Sequence, residues 1–354
     1  MNRRIIAVIA LLISTIVLAG VEESFQRVQT QNFSRPDSNK IKILNPAGTT
    51  SITVSETDQV IFSYRLYAEA ADYNKSRELV GKFETRIRPE KGVITANFGL
   101  PFDSIDKLKF PFLDRKFEGT LQWRDRKIDI SHKKGTILKV ELRVEIPSGI
   151  DVEIEGMIGK VDITGHRGNI DIEMGAGEIE LFQTVAEHKI LLGTGVVKSV
   201  TSEGGFDISA EKIDILGTFT AIDTLRISQK EGAIRFDGVE SATWLDLKIG
   251  NANLYLMAGD LGCGSIKSGA GNIDLKIYSR LNCEMSIETE SGYIDIETAK
   301  RFAQETYSTT HGRISHIEIE SPSTEVEVSH PFGSGIMRAK SDSGNMKIVN
   351  DSAE

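Results

Sequence analysis

GNIDIEMGAGEIEL, residues 168–181, holds two copies of one short pattern: a glycine, a polar or variable residue, then apolar–polar–apolar. GKVDI (159–163) precedes them. GVVKSV (195–200), GAIRF (232–236), GNANLYL (250–256), GNIDL (271–275), GYIDI (292–296), GRISH (312–316) and GNMKI (344–348) follow. The first four glycines lie 9, 9 and 18 residues apart, and the later ones mostly 18 to 21 apart.

Each part of the pattern has a physical meaning. Alternation puts Ile170 and Ile172 on one face of a strand and Asp171 on the other. The same phase sends Val161, Ile163, Ile179, Leu181, Ile273, Leu275, Ile294 and Ile296 inward. The preceding glycine is expected to supply a turn of positive φ, and the asparagines after several of them (Asn169, Asn251, Asn272, Asn345) suit turns and rung-to-rung hydrogen bonding. A period near 20 is too short for a propeller blade and lacks the fixed leucines of a leucine-rich repeat. It fits one coil of an all-β, parallel, right-handed β-solenoid (β-helix), each strand pairing about 4.8 Å from its counterpart one period later. An antiparallel sandwich or barrel also alternates, but would need hairpin turns every eight to twelve residues and no shared phase.

The rest of the chain divides around this repeat. Arg3 and Arg4 precede an apolar run, Ile5 to Leu18, broken only by Ser14 and Thr15. With Val17-Leu18-Ala19 behind it, segment 1–20 reads as a signal peptide, or alternatively as an N-terminal anchor. Position 21 is Val where lipoprotein processing needs a thiol. Residues 21–40 read as a polar linker. Residues 41–147 read as less regular N-terminal strands with a cap, including a short helix within 69–80 and a Phe-rich loop at 101–118. Residues 148–350 are the glycine-punctuated repeats. This places the protein as exported: in the periplasm, the cell envelope or on the cell surface.

ILNPAGTTSITV (43–54) and ELRVEIPSGIDVEIEGMIGKVDITGHRGNIDIEMGAGEIEL (141–181) carry a resemblance. They resemble the bacterial putative-adhesin family of glycine-punctuated β-strand repeats. The resemblance covers about 41–350 and implies a right-handed β-solenoid of the envelope, acting as an adhesin-like binding or scaffold module. It brings no catalytic residues. The chain departs from the family in its longer 69–118 insertion and in a 32-residue gap between Gly312 and Gly344.

Composition narrows the partners. With 42 Lys and Arg against 51 Asp and Glu, the net charge is −9, which argues against nucleic acid and offers no overall polybasic character for an anionic membrane. Membrane contact is expected only through an uncleaved N-terminus, and the expected partner is an unidentified protein or glycan of the envelope. Recognition is assigned to a lateral strand face or to the loops at 98–118 and 321–335.

Enzyme chemistry finds no purchase. The acids Asp162, Asp171, Glu180, Asp207, Asp214, Asp274 and Asp295 fall between core positions, where strand period alone puts them. His311 and Arg313 faintly match a polygalacturonase pair without its companion acids. A polysaccharide-active β-helix enzyme and a membrane-anchored envelope-stress signalling component remain the rival readings. GAGNIDLKI (269–277) resembles a calcium repeat out of phase, since Asp274 sits inside a strand. The six histidines show no ligand spacing, and Gly333-Ser334-Gly335 lacks a nucleophile elbow's frame. No cofactor is expected. The only cysteines, Cys263 and Cys283, are one period apart in matching contexts, as a disulfide or a stacked core pair.

Overall fold

The computed structural model describes residues 23–281, 285–291, 293–298, 316–319, 324–329, 336–341 and 346–350. The protein is all-β: strands dominate, with one α-helix and one 3-10 turn among the described residues and no closed barrel. It divides into two compact units, 1–179 and 180–354.

The first unit builds two ladders from strands that turn a corner. β1 (Glu23–Ser34) pairs antiparallel with β4 (Gln59–Ala70), and β4 antiparallel with β10 (Ile137–Ile146). β10 then lies parallel to β3 (Ala47–Val54), and β3 parallel to the second half of β11 (Asp151–Thr164). On the other ladder, β5 (Glu84–Glu90) is antiparallel to β6 (Val93–Gly99). β6 is parallel to β2 (Lys40–Leu44), and β2 to the first half of β11. The β2–β3 corner is pinned by Asn45, 5% exposed, whose Nδ2 donates to Thr50 Oγ1 at 3.1 Å and to the Val140 carbonyl at 3.3 Å. α1 (Tyr73–Gly81) starts on an Asp72 cap, whose side chain accepts from the Lys75 N–H, and buries Ser76, Leu79 and Val80.

Two sequence expectations are corrected here. Residues 21–40 are not a linker: β1 runs in register from Glu23↔Ala70 to Ser34↔Gln59. Its Gln, Asn, Thr and Arg side chains read as linker because an edge strand is kept polar on purpose. The compact boundary also falls at 179/180 rather than 147/148. The early repeat copies pair with N-terminal strands, as Ile163↔Ile52 and Ile154↔Ile43 show, so they fold with that unit.

In the second unit the backbone stays extended from Val185 to Ser268, designated β13. It runs parallel to β14 (Ile273–Leu281) with Leu254↔Ile273, and to β15 (Met285–Thr289) with Gly264↔Met285. β14 is parallel to β16 (Ile294–Thr298) with Ile273↔Ile294. Contacts 18 or 19 residues apart recur along β13, such as Lys198–Glu180 at 3.1 Å and Arg226–Asp207 at 3.5 Å. Inside, His188 stacks on Phe206 at 3.9 Å, and Phe206, Phe219 and Phe236 follow edge to face at 4.9 and 5.2 Å.

The strand phase matches expectation. Val161, Ile163, Ile170, Ile172, Ile179, Leu181, Ile273, Leu275, Ile294 and Ile296 are all buried, while the acids between them are half-buried. The role given to the repeat glycines needs correction. Gly168 and Gly232 do hold positive φ, but Gly159, Gly177, Gly250 and Gly271 do not. At those positions room is the constraint: a Cβ on Gly159 would sit 2.0 Å from the Gly48 carbonyl oxygen, and one on Gly271 1.5 Å from that of Ala252. The asparagine ladder is likewise side chain to backbone, with Asn272 Oδ1 accepting from the Tyr293 N–H at 3.0 Å.

Parallel stacking is interrupted where the glycine spacing stretches. β17 (His316–Ile319) and β18 (Thr324–Ser329) pair antiparallel with β20 (Met346–Asn350) and β19 (Ile336–Ser341). β19 and β20 resume the parallel order with Met285↔Met337 and Ile294↔Met346. The chain makes an excursion and then rejoins the ladder.

Candidate functional site

The most elaborated surface of the first unit is the segment between β6 and β10. It carries a 3-10 turn, Phe102–Ser104, and a separate three-stranded sheet of β7 (Leu108–Lys109), β8 (Gly119–Trp123) and β9 (Arg126–Ser131), ordered β7-β9-β8. Phe102, Leu108, Phe110, Leu113, Ile128 and Ile130 are buried beneath it, so its aromatics mostly form a local core, with Phe98 1% exposed. Phe112 is the exception at 40% exposed.

The β8–β9 hairpin turns in two residues, Arg124 and Asp125, between the paired Trp123 and Arg126. Arg124 holds φ 56°, a left-handed conformation that asparagine or glycine would adopt more cheaply. Its carbonyl accepts from Gln122 Nε2 at 2.9 Å, and its guanidinium lies 5.7 Å from the Trp123 ring centroid. Arg126 pairs with Asp103 at 2.6 Å. That ion pair lines two open clefts. One, of about 320 Å³, is walled by Lys82, Glu84, Leu100 and Trp123; the other, of about 540 Å³, by Asp106, Lys107, Thr120 and Lys127. An aromatic edge, guanidiniums and carboxylates suit recognition of a polar, hydroxyl-rich or charged ligand.

Beside this segment, Lys139 Nζ sits 3.9 Å from the Phe112 ring centroid and 5.0 Å from that of Tyr67, and pairs with Glu141 at 2.6 Å. Burial, and then the Tyr67 hydroxyl's hydrogen bond to Glu69 at 2.6 Å, push that phenol up to about 12. A second notable group is His166, fully buried. Burial pushes its imidazole down to about 4, against the opposing pull of the Asp151 carboxylate and the Ile150 carbonyl. Neither ring nitrogen completes a hydrogen bond.

The residues singled out from sequence fall as follows. Cys283, His311 and Arg313 lie outside the described residues, as does most of the loop 321–335. Cys263 is half-buried rather than core. A Cβ on Gly262 would meet the Thr243 carbonyl and one on Gly264 that of Leu245, which brackets Cys263 opposite Trp244, 46% exposed. The thiol therefore sits on the outer face, not beside the buried Leu261, because a corner between Ala242 and Leu245 breaks the alternation. Leu261 does pair with Leu281, the expected 20-residue register. Among the described residues no cluster of His, Cys, Asp and Glu is arranged to hold a metal ion. The charge of the β6–β10 segment was missed. Residues 101–136 carry nine Lys and Arg against six Asp and Glu in a chain that is acidic overall. A windowed charge count would have found it.

A family model described as Toastrack DUF4097 matches residues 114–352, about two thirds of the chain. A solved structure described as a putative lipid binding protein from Parabacteroides distasonis ATCC 8503 aligns over 77% of this chain and 89% of its own, at 13% identity. Its TM-score of 0.40 is too low to carry an argument about fold or ligand. No curated protein matches well enough to count as a relative.

Proposed function

The chain belongs to the Toastrack DUF4097 family, and from that footing we propose that it is an exported, non-catalytic binding or scaffold module of the cell envelope, adhesin-like in use. Its frame is a parallel, right-handed β-solenoid of about 20-residue coils, a reading supported by the registers Leu254↔Ile273, Gly264↔Met285 and Ile273↔Ile294. The β8–β9 hairpin carries the recognition. It holds a strained arginine, a half-buried tryptophan and an arginine–aspartate pair at the mouth of two open clefts, on a base of buried aromatics. Strain retained at an exposed tip marks a site kept for contact rather than for folding. The basic pair Arg3-Arg4 before Ile5–Leu18 supports export.

Cell fractionation with mass spectrometry of the N-terminus tests the location: an envelope fraction is expected, and recovery in the cytosol with Met1 retained overturns export. Pull-down from envelope extracts and a glycan array test the site. The wild-type chain is expected to retain a partner that Trp123→Ala with Arg124→Ala loses, and equal retention by both removes the hairpin from recognition.

A further inference from the structure

We propose a second surface on the first unit: a basic, aromatic shelf around Phe112 that rests on an anionic phospholipid headgroup layer. It lies apart from the hairpin tip and its clefts. Residues 107–118 and 131–139 carry seven Lys and Arg against two Asp and Glu. Glu69 and Glu141 hold Lys109 and Lys139, so the outward charge comes from Lys107, Lys116, Lys133 and Lys134, all exposed. Pro111 and Phe112 project among them, and Phe112 is the most exposed aromatic of the unit's described residues. Lys139, whose stem runs under that ring, covers apolar surface while keeping its ammonium near water. Cations flanking an exposed aromatic are what an anionic interface attracts, the charge by Coulomb force and the ring at headgroup depth.

The position of the shelf carries the argument. Glu23, where β1 begins, pairs with Ala70. The adjacent Glu69 pairs with Ile137 at the start of β10 and holds Lys109 at 3.6 Å. Lys139 then bridges from Tyr67 to Phe112. The start of β1 and the shelf are therefore on one side of the unit. The apolar run Ile5–Leu18 ends five residues before Glu23, a reach of at most about 17 Å. A chain held by that run would bring its one strongly basic patch against the lipid.

The test uses the full chain in vesicles, with Phe112→Trp as the sole tryptophan after Trp123→Phe and Trp244→Phe. Brominated lipids should quench this reporter in vesicles of mixed phosphatidylcholine and phosphatidylglycerol, and far less in phosphatidylcholine alone. Raising salt to about 1 M, where the Debye length is about 3 Å, should abolish the difference. Lys116→Gln, Lys133→Gln and Lys134→Gln together should weaken docking on the order of a hundredfold, at roughly fivefold per cation. Quenching indifferent to lipid charge, salt and these lysines overturns the proposal. So does a response to soluble acidic polysaccharide that lipid cannot reproduce, which would assign the shelf to a glycan. A cytosolic location would overturn export without touching the vesicle result, and charge-blind quenching would remove the shelf while leaving export intact.

Discussion

His166 should make the first unit lose stability in mild acid. The imidazole is fully buried with neither ring nitrogen hydrogen-bonded, and burial holds it near 4 against an ordinary value near 6.5. The folded state thus prefers neutral histidine, whereas the unfolded chain takes up a proton as pH falls through about 6.5. Stability from this preference is complete above the unfolded value and is lost as pH falls from about 6.5 to about 4. The difference of roughly 2.5 units corresponds to about 3 kcal/mol. Carboxylates and other histidines also titrate there, so the useful quantity is a difference. Urea unfolding would be followed by Trp123 emission, in a Trp244→Phe background so that only the first unit reports. His166→Gln removes the titration. The wild-type advantage over this variant should shrink by about 3 kcal/mol between pH 7 and about pH 4. A gap that stays flat, or widens in acid, would refute the idea that His166 is buried neutral.

Four further outcomes are expected. Ile273→Asp should cost on the order of 5 kcal/mol by Trp244 emission, since it buries a charge where an aliphatic chain is fully enclosed, while Asp274→Asn on the outer face should be nearly silent; the reverse ranking would put the strand in the wrong phase. Gly271→Ala should cost about 1–3 kcal/mol, its Cβ 1.5 Å from the Ala252 carbonyl oxygen, whereas Gly81→Ala, with nothing within 4 Å, should be neutral or mildly stabilising; equal thermal shifts would contradict the close-approach account. Denatured, unreduced protein should show no free thiol, because the Leu261↔Leu281 register brings Cys263 towards Cys283 and export favours oxidation; two thiols titrated with a chromogenic disulfide reagent would exclude the bridge. Acidic polysaccharides should be left uncleaved, and turnover lost in His311→Ala or Arg313→Ala would overturn the non-catalytic reading.

The sequence made the strand phase legible because burial and period say the same thing at every copy. Ile170, Asp171 and Ile172 admit one assignment of faces, and slipping by one residue would bury the acid. What it left unread are features that live between segments. β1 is polar on both faces, and only its pairing with β4, 36 residues downstream at the near end, makes it a strand. The glycines were rightly singled out for the wrong cause. A positive φ is a local property, whereas the 2.0 Å approach of Gly159 to Gly48 depends on a coil 111 residues away. Cys263 followed the alternation until a corner inverted it.

Charge shows the same limit most sharply. A net of −9 is a sum over the chain, and a sum cannot describe how a fold sorts its terms. Stacked strands place one acid per coil on the outer faces, and many of these meet a Lys or Arg one register away, as Glu180 meets Lys198 and Asp207 meets Arg226. Such pairs are worth little individually, but they keep the lateral faces locally neutral. The shelf around Phe112 interrupts the coil pattern, has no neighbouring rung to answer it, and so keeps its lysines for whatever approaches from outside. An acidic protein can therefore present a cationic face to an anionic surface, provided the cations sit where the repeat does not run.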